Sequence, residues 1–113
     1  MRKYEIIAVD FDGTLCSDCY PDIGKPNMPL IELLRGLRSE GCQIILWTCR
    51  CGRELDQAVQ WCEKFDLKFD KVNRNTDEIL EKYGSDSRKI YADVYIDDKA
   101  CFPWEARACE KEE

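Results

Sequence analysis

Three short apolar runs, each ending in polar chemistry, constrain the fold of this chain more than any other feature. Ile6-Ile7-Ala8-Val9 leads into Asp10-Phe11-Asp12-Gly13-Thr14-Leu15, Cys42 to Trp47 (CQIILW) ends at Thr48, and Ala92 to Ile96 ends at Asp97-Asp98. A continuous apolar run bounded by turn residues reads as a strand buried on both faces, the signature of a parallel sheet. Here the first strand spans Tyr4 to Val9, and Leu67 to Val72 adds a weaker strand. In an open parallel sheet, ligands bind beyond the carboxyl ends of the strands. Asp10/Asp12, Thr48 and Asp97/Asp98 would then share one rim. Merely decorative acidic turns would not be expected to gather at the same end of separate buried strands.

Helices fill the intervals. Asn27 can cap a helix starting near Met28-Pro29, with Leu30, Ile31, Leu34 and Leu37 at helical spacing and Gly41 as the stop. Arg53 to Phe65 carries Leu55, Ala58, Val59 and Cys62 on one side. Asn75 and Glu78 have capping-box spacing, and Ile79, Leu80 and Tyr83 form a short helix closed by Gly84. Strands alternating with helices predict an α/β fold: a three-layer α/β/α, Rossmann-like arrangement around a parallel sheet of roughly four to five strands.

At 113 residues with no evident linker, the chain reads as a single domain, 1–113, with a loop or flap at about 13–27 and a charged tail at about 107–113. The net charge of −6 argues against a general grip on nucleic acid or an anionic membrane. With no histidine, acid–base work falls to carboxylates, lysine, tyrosine or cysteine. The apolar run after Met1-Arg2-Lys3 is too short for a signal peptide, and nothing approaches transmembrane length. A cytoplasmic protein is the simplest expectation, with its eight cysteines mostly reduced.

Within the first rim segment, alternation along a strand puts Asp10 and Asp12 on the same side while the chain stays extended. Gly13 permits an unusual backbone angle, and Thr14 offers a hydroxyl beside open backbone amides. Two acids this close repel unless a cation or a shared proton relieves them, which suits a metal and phosphoryl site better than a solvated turn.

Taken together, DFDGTL (Asp10–Leu15), ILWT (Ile45–Thr48), SRK (Ser87–Lys89) and VYIDD (Val94–Asp98) follow in the order and spacing of four motifs. In this the chain resembles the haloacid dehalogenase-like superfamily, most of whose members are magnesium-dependent phosphohydrolases. The resemblance spans almost the whole chain and implies a phosphomonoesterase acting through an aspartyl-phosphate. Asp10 would be the nucleophile, and Asp12 would protonate the leaving oxygen and then deprotonate the attacking water. Thr48 would bond a phosphoryl oxygen, with Gly13 in the same substrate-binding set. Lys89 would offset the phosphoryl charge, with Arg88 as the alternative basic residue. The metal set would be Asp10, the backbone carbonyl of Asp12, Asp97 directly, and Asp98 through water or by holding the site; a hard oxygen set of this kind suits Mg²⁺.

The family's larger caps find no room here. Cys16 to Gly41 holds a loop and one helix, and Cys49 to Ser87 is core, so a large cap domain is not expected. Water exclusion then falls to the loop from Cys16 to Pro26, to a partner subunit in a homo-oligomer, or to the substrate. Too little chain follows Asp98 for a comfortable helix and strand, so a fifth strand stays open, as does completion of the edge by a second copy. The substrate is a phosphorylated small molecule or a bulkier phosphate, and a polyanion such as nucleic acid is disfavoured by the charge.

Alternatives remain at this stage. A phosphotransferase of the same fold would use the same residues, and a non-catalytic phosphate- or metal-binding module would keep the rim alone. Cys16-x-x-Cys19 and Cys49-x-Cys51 follow the first two motifs and could hold zinc in a thiol–zinc module, although such cysteines are more often small apolar fillers. Arg50 and Lys99 neighbour motif residues, as substrate contacts or as solvated charges. Thr48 could merely cap the following turn. Cys42 and Cys62 read as core, and Trp47, Trp61 and Trp104 as packing rather than substrate stacking.

Overall fold

In a computed structural model of the protein, which describes residues 5–99, seven elements follow one another as β1 (Ile6–Val9), α1 (Met28–Ser39), β2 (Gln43–Leu46), α2 (Gly52–Lys64), β3 (Lys71–Val72), α3 (Asp77–Tyr83) and β4 (Val94–Ile96). The fold is α/β, with a four-stranded sheet in the order β3-β2-β1-β4 and every pairing parallel. β1 lies inside the sheet, with Val9 opposite Leu46 on one side and Ile96 on the other. That position explains the unbroken IIAV run: all four residues are buried.

Alternation along the strands divides the core. Ile7 and Val9 join Ile44 and Leu46, packing with Ile31 and Leu34 of α1 and Ala58 and Cys62 of α2. Ile6 and Ala8 join Ile45, Ile90 and Ala92, with Ile79 of α3, Trp47 and Tyr95 against them. Phe11 is fully buried and meets Trp61 edge-on at 5.5 Å between ring centroids. Trp47 and Tyr95 pair at 5.4 Å. Both half-buried tryptophans therefore pack against neighbouring rings.

The helix ends follow local chemistry. Asn27 accepts from the Leu30 amide at 3.4 Å and donates to the Thr14 carbonyl at 3.0 Å, so one side chain caps α1 and anchors the preceding loop. Gly84, at φ 73, closes α3 through its amide to the Leu80 carbonyl at 2.8 Å. Asn75 departs from the capping box. Thr76 occupies the N-cap without a side-chain bond, and Asn75 is wholly buried. It donates to Asp86 at 2.8 Å and accepts from the Tyr91 amide at 2.6 Å, tying the segment before β4 to the start of α3. A buried amide has more to gain from closing that long connection than from capping a helix of two turns.

β3 is also shorter than its apolar pattern suggests. Only Lys71 and Val72 pair with β2, while Leu67 is buried in the core as part of the approach. Tyr4, Cys101, Trp104, Cys109 and the tail at 107–113 lie outside the described residues, which hold four strands. No helix among the described residues is long and apolar enough to cross a membrane.

Candidate functional site

The strand order creates the site. From β1 the chain moves to β2 and β3 on one side, and β4 then returns to the other side of β1. Crevices at such reversals lie beyond the carboxyl ends of the diverging strands. Asp10 follows β1 and Asp97-Asp98 follow β4, so both acidic termini border that crevice. The pairing continues one residue past β1, where the Asp10 amide donates to the Ile96 carbonyl at 2.9 Å. As a result, carboxylate oxygens of Asp10, Asp97 and Asp98 all lie within 4.8 Å of one another. This trio is the only group of three or more acidic or thiol ligands within that reach among the described residues.

The first rim segment builds the other wall. Gly13 has φ +79, which strains any residue with a Cβ, and a Cβ there would sit 2.3 Å from Oδ2 of Asp98 and push that carboxylate aside. Thr14 accepts the Asp98 amide on Oγ1 at 3.1 Å. The Gly13-Thr14 turn therefore fixes where Asp98 stands. Lys99 donates its amide to Asp97 Oδ1 at 3.1 Å and brings Nζ to 3.9 Å from Asp98 Oδ2.

Asp10 is half-buried, while Asp97 and Asp98 are exposed. The Asp10 carboxyl is pushed up to about 6, first by burial and then by the charges of Asp97, Asp98 and Asp12, against a lowering hydrogen bond from the Phe11 amide. Three hard oxygen donors whose mutual repulsion is relieved in part by Lys99 fit a small divalent cation such as Mg²⁺. Asp10, Asp97 and Asp98 are the side chains that would hold it.

Asp12 is not part of the trio. The chain stops being extended at Asp10, because the amides of Thr14 and Leu15 turn back to the Phe11 carbonyl at 3.1 and 2.9 Å. Beyond that turn the Asp12 side chain pairs with Arg50, whose Nε and Nη2 each donate to it at 2.8 Å. Arg50 is neither a solvated charge nor a free substrate contact, since its side chain is only 1% exposed.

Thr48 caps the turn after β2 and also borders the rim. Its Oγ1 accepts the Arg50 amide at 3.1 Å as a turn cap, and its own amide donates to Asn73 at 2.8 Å. The residue also lines a cavity of ≈ 290 Å³ with Asp10, Trp47, Cys49, Asp97 and Lys99. Asn73, at φ 55, holds Thr48 in place; its lack of any local motif hid it in the sequence.

Lys89 is not brought to the acids. It is exposed, lies 5.6 Å from the Tyr95 ring and lines a different cavity with Ile79, Tyr83 and Tyr91. Arg88 is exposed as well. Cys16, Cys42 and Cys62 are buried, Cys19, Cys49 and Cys51 are exposed, and among the described residues no three thiols approach one another within ligand distance. Burial pushes the Cys62 thiol up to about 12, consistent with an inert core residue.

The fold and rim define an α/β protein with a parallel sheet and an acidic, cation-suited site at the reversal of strand order. Among solved structures, the chain is similar to a conserved protein from Bacteroides thetaiotaomicron at 36% identity and a TM-score of 0.75, across 96% of this chain and 91% of that one. At that identity and coverage the chain belongs to the same family as the Bacteroides protein. No family model and no curated protein matches it.

Proposed function

We propose that this protein is a Mg²⁺-dependent phosphohydrolase of the haloacid dehalogenase-like type: a three-layer, Rossmann-like core without a large cap, acting in the cytoplasm on a phosphomonoester. The observation that carries this reading is the meeting of Asp10, Asp97 and Asp98 within 4.8 Å at the reversal of strand order. Sequence order supports it, because these carboxylates open the first of the four motifs and close the last.

Asp10 attacks phosphorus: an Oδ–P bond forms, the bond to the leaving oxygen breaks, and an aspartyl-phosphate results. Water then attacks that phosphorus, releasing phosphate and the Asp10 carboxylate. Asp12 serves as acid and then base. Each of its oxygens accepts one bond from Arg50, and each keeps a second lone pair able to carry a proton. The Thr48 hydroxyl, its oxygen already accepting the Arg50 amide, keeps its proton to donate to the phosphoryl group. We assign charge compensation to Lys99, which lines the same cavity as Asp10, rather than to Lys89, which does not. Bound Mg²⁺ supplies the positive charge that lets an anionic nucleophile approach an anionic phosphate. The backbone carbonyl of Asp12 would complete the protein's share of the ligand set.

The test is turnover of p-nitrophenyl phosphate by the purified protein. Activity should require Mg²⁺, stop on chelation and disappear in Asp10→Asn. Turnover that persists in Asp10→Asn rejects the nucleophile. A protein that binds the cation without turning over any phosphate is the non-catalytic module instead. Phosphate appearing on an added alcohol rather than on water marks a phosphotransferase.

A further inference from the structure

Arg50 is built into the protein more completely than any single role in phosphate binding requires. A guanidinium has five N–H donors, and this one places all five. Nε donates to Asp12 Oδ2 at 2.8 Å, and Nη2 donates to Asp12 Oδ1 at 2.8 Å and to the Asp22 carbonyl at 2.9 Å. Nη1 donates to the Pro21 carbonyl at 3.2 Å and to the Glu54 carbonyl at 3.3 Å. Its central carbon stands 5.0 Å from the ring centroids of both Phe11 and Tyr20. One side chain thus joins the turn after β1, the middle of the 17–27 loop and the first turn of α2.

The loop depends on that junction. At its base it is closed by the Ser17 amide to the Lys25 carbonyl at 2.9 Å, by the Lys25 amide to Ser17 Oγ at 2.8 Å and by the Asn27 amide to the Leu15 carbonyl at 2.8 Å. Across its middle, the carbonyls of Pro21 and Asp22 are held by Arg50, with Ile23 packed against the core. Because Asp12 receives the remaining fork of the same guanidinium, loop and carboxylate share a single anchor.

We propose that Arg50 is a positioning residue that couples the placement of Asp12 to closure of the 17–27 loop, so that neither can be displaced without loosening the other. The catalytic meaning of this coupling rests on the phosphohydrolase reading, in which Asp12 moves the proton; the coupling itself does not. Arg50 then acts through Asp12 and leaves no donor for a phosphate.

Two arms test the proposal separately. In the first, amide hydrogen exchange is followed in wild type, Arg50→Lys and Asp12→Asn. Arg50→Lys keeps the charge but loses the fork, whereas Asp12→Asn keeps the shape but loses the ion pair. Both variants should exchange the Ser17, Lys25 and Asn27 amides at least tenfold faster while the interior of α1 is unchanged. Loop exchange unchanged in both variants, or an increase shared equally by α1, overturns the coupling.

In the second arm, the same proteins hydrolyse p-nitrophenyl phosphate, whose leaving group needs no proton, and β-glycerophosphate, whose leaving group does. Arg50→Lys should slow the alkyl ester at least tenfold more than the aryl ester. The double variant Asp12→Asn/Arg50→Lys should be no slower than Asp12→Asn alone. Equal losses on both esters, or additive losses in the double variant, overturn a role through Asp12. Should wild type hydrolyse neither ester, the phosphohydrolase reading fails and the exchange arm alone decides the coupling.

Discussion

Replacing Asp10 by asparagine should make the metal-free protein more stable at neutral pH, although the same change abolishes the proposed chemistry. The fold raises the Asp10 carboxyl from 3.8 to about 6, chiefly by burial and then by the charges of Asp97, Asp98 and Asp12. A carboxyl raised on folding binds more protons in the native than in the unfolded state between those values. Stability contributed by this group is therefore full below about pH 4, falls as pH rises to about 6, and stays lost above it. At about 1.4 kcal/mol per pKa unit the unscreened cost would be about 3 kcal/mol. Asp10 is only half-buried, and solvent screening brings that to about 1 kcal/mol. Asparagine removes the charge while its side-chain oxygen can still accept the Phe11 amide. In urea unfolding with a chelator at pH 7.5, Asp10→Asn should shift the midpoint upward by about 0.5 M, given a slope of about 2 kcal/mol per molar. At pH 4 the two curves should coincide. Adding Mg²⁺ at a hundred times its dissociation constant should stabilise wild type by about 2.7 kcal/mol and leave Asp10→Asn unmoved. A variant less stable than wild type at pH 7.5 in chelator would refute the claim that burial and neighbouring carboxylates disfavour the Asp10 charge.

Other positions give sharper local tests. Gly13→Ala forces a left-handed backbone on a residue with a Cβ and drives that carbon into Asp98; cation affinity measured by titration calorimetry should fall about tenfold or more. Asn75→Ala should cost about 1–3 kcal/mol by leaving the Tyr91 amide and Asp86 without their buried partner, and limited proteolysis should then cut within residues 85–91. Arg50→Met should cost about 3–5 kcal/mol in urea unfolding, because it strands the Asp12 carboxylate and three loop and helix carbonyls. Lys99→Ala should lower turnover of p-nitrophenyl phosphate at least tenfold more than Lys89→Ala, since only Lys99 lines the cavity with Asp10.

What could be read from the chain were features set by neighbours in sequence. The IIAV and QIIL runs announce interior strands because residues buried on both faces must be apolar throughout. Asn27 and Gly84 mark helix ends because capping is a local hydrogen-bond problem. The meeting of Asp10 with Asp97 and Asp98 was accessible by a longer route: parallel strands align their carboxyl ends, and acids at two such ends must share a rim. Partnerships across the fold were not accessible. Asp12 and Arg50 are 38 residues apart, and neither flanking sequence signals the other. Spacing could not show that the chain turns onto the Phe11 carbonyl after Asp10 and that Asp12 pairs with Arg50. The capping-box spacing at Asn75 and Glu78 was a true local option that lost to a buried tertiary bond. Lys89 shows the same limit, for its position along the chain fits a motif while its side chain faces Tyr95.

The central claim is that Asp10, Asp97 and Asp98 jointly hold one divalent cation. Crystals soaked in Mn²⁺ and measured at its absorption edge test this without assuming any substrate. A single anomalous peak per chain is expected within coordination distance of Asp10 and Asp97, and it should vanish in Asp97→Asn. Saturating Mn²⁺ that leaves the space among these carboxylates empty, or that settles elsewhere on the protein, would contradict the account.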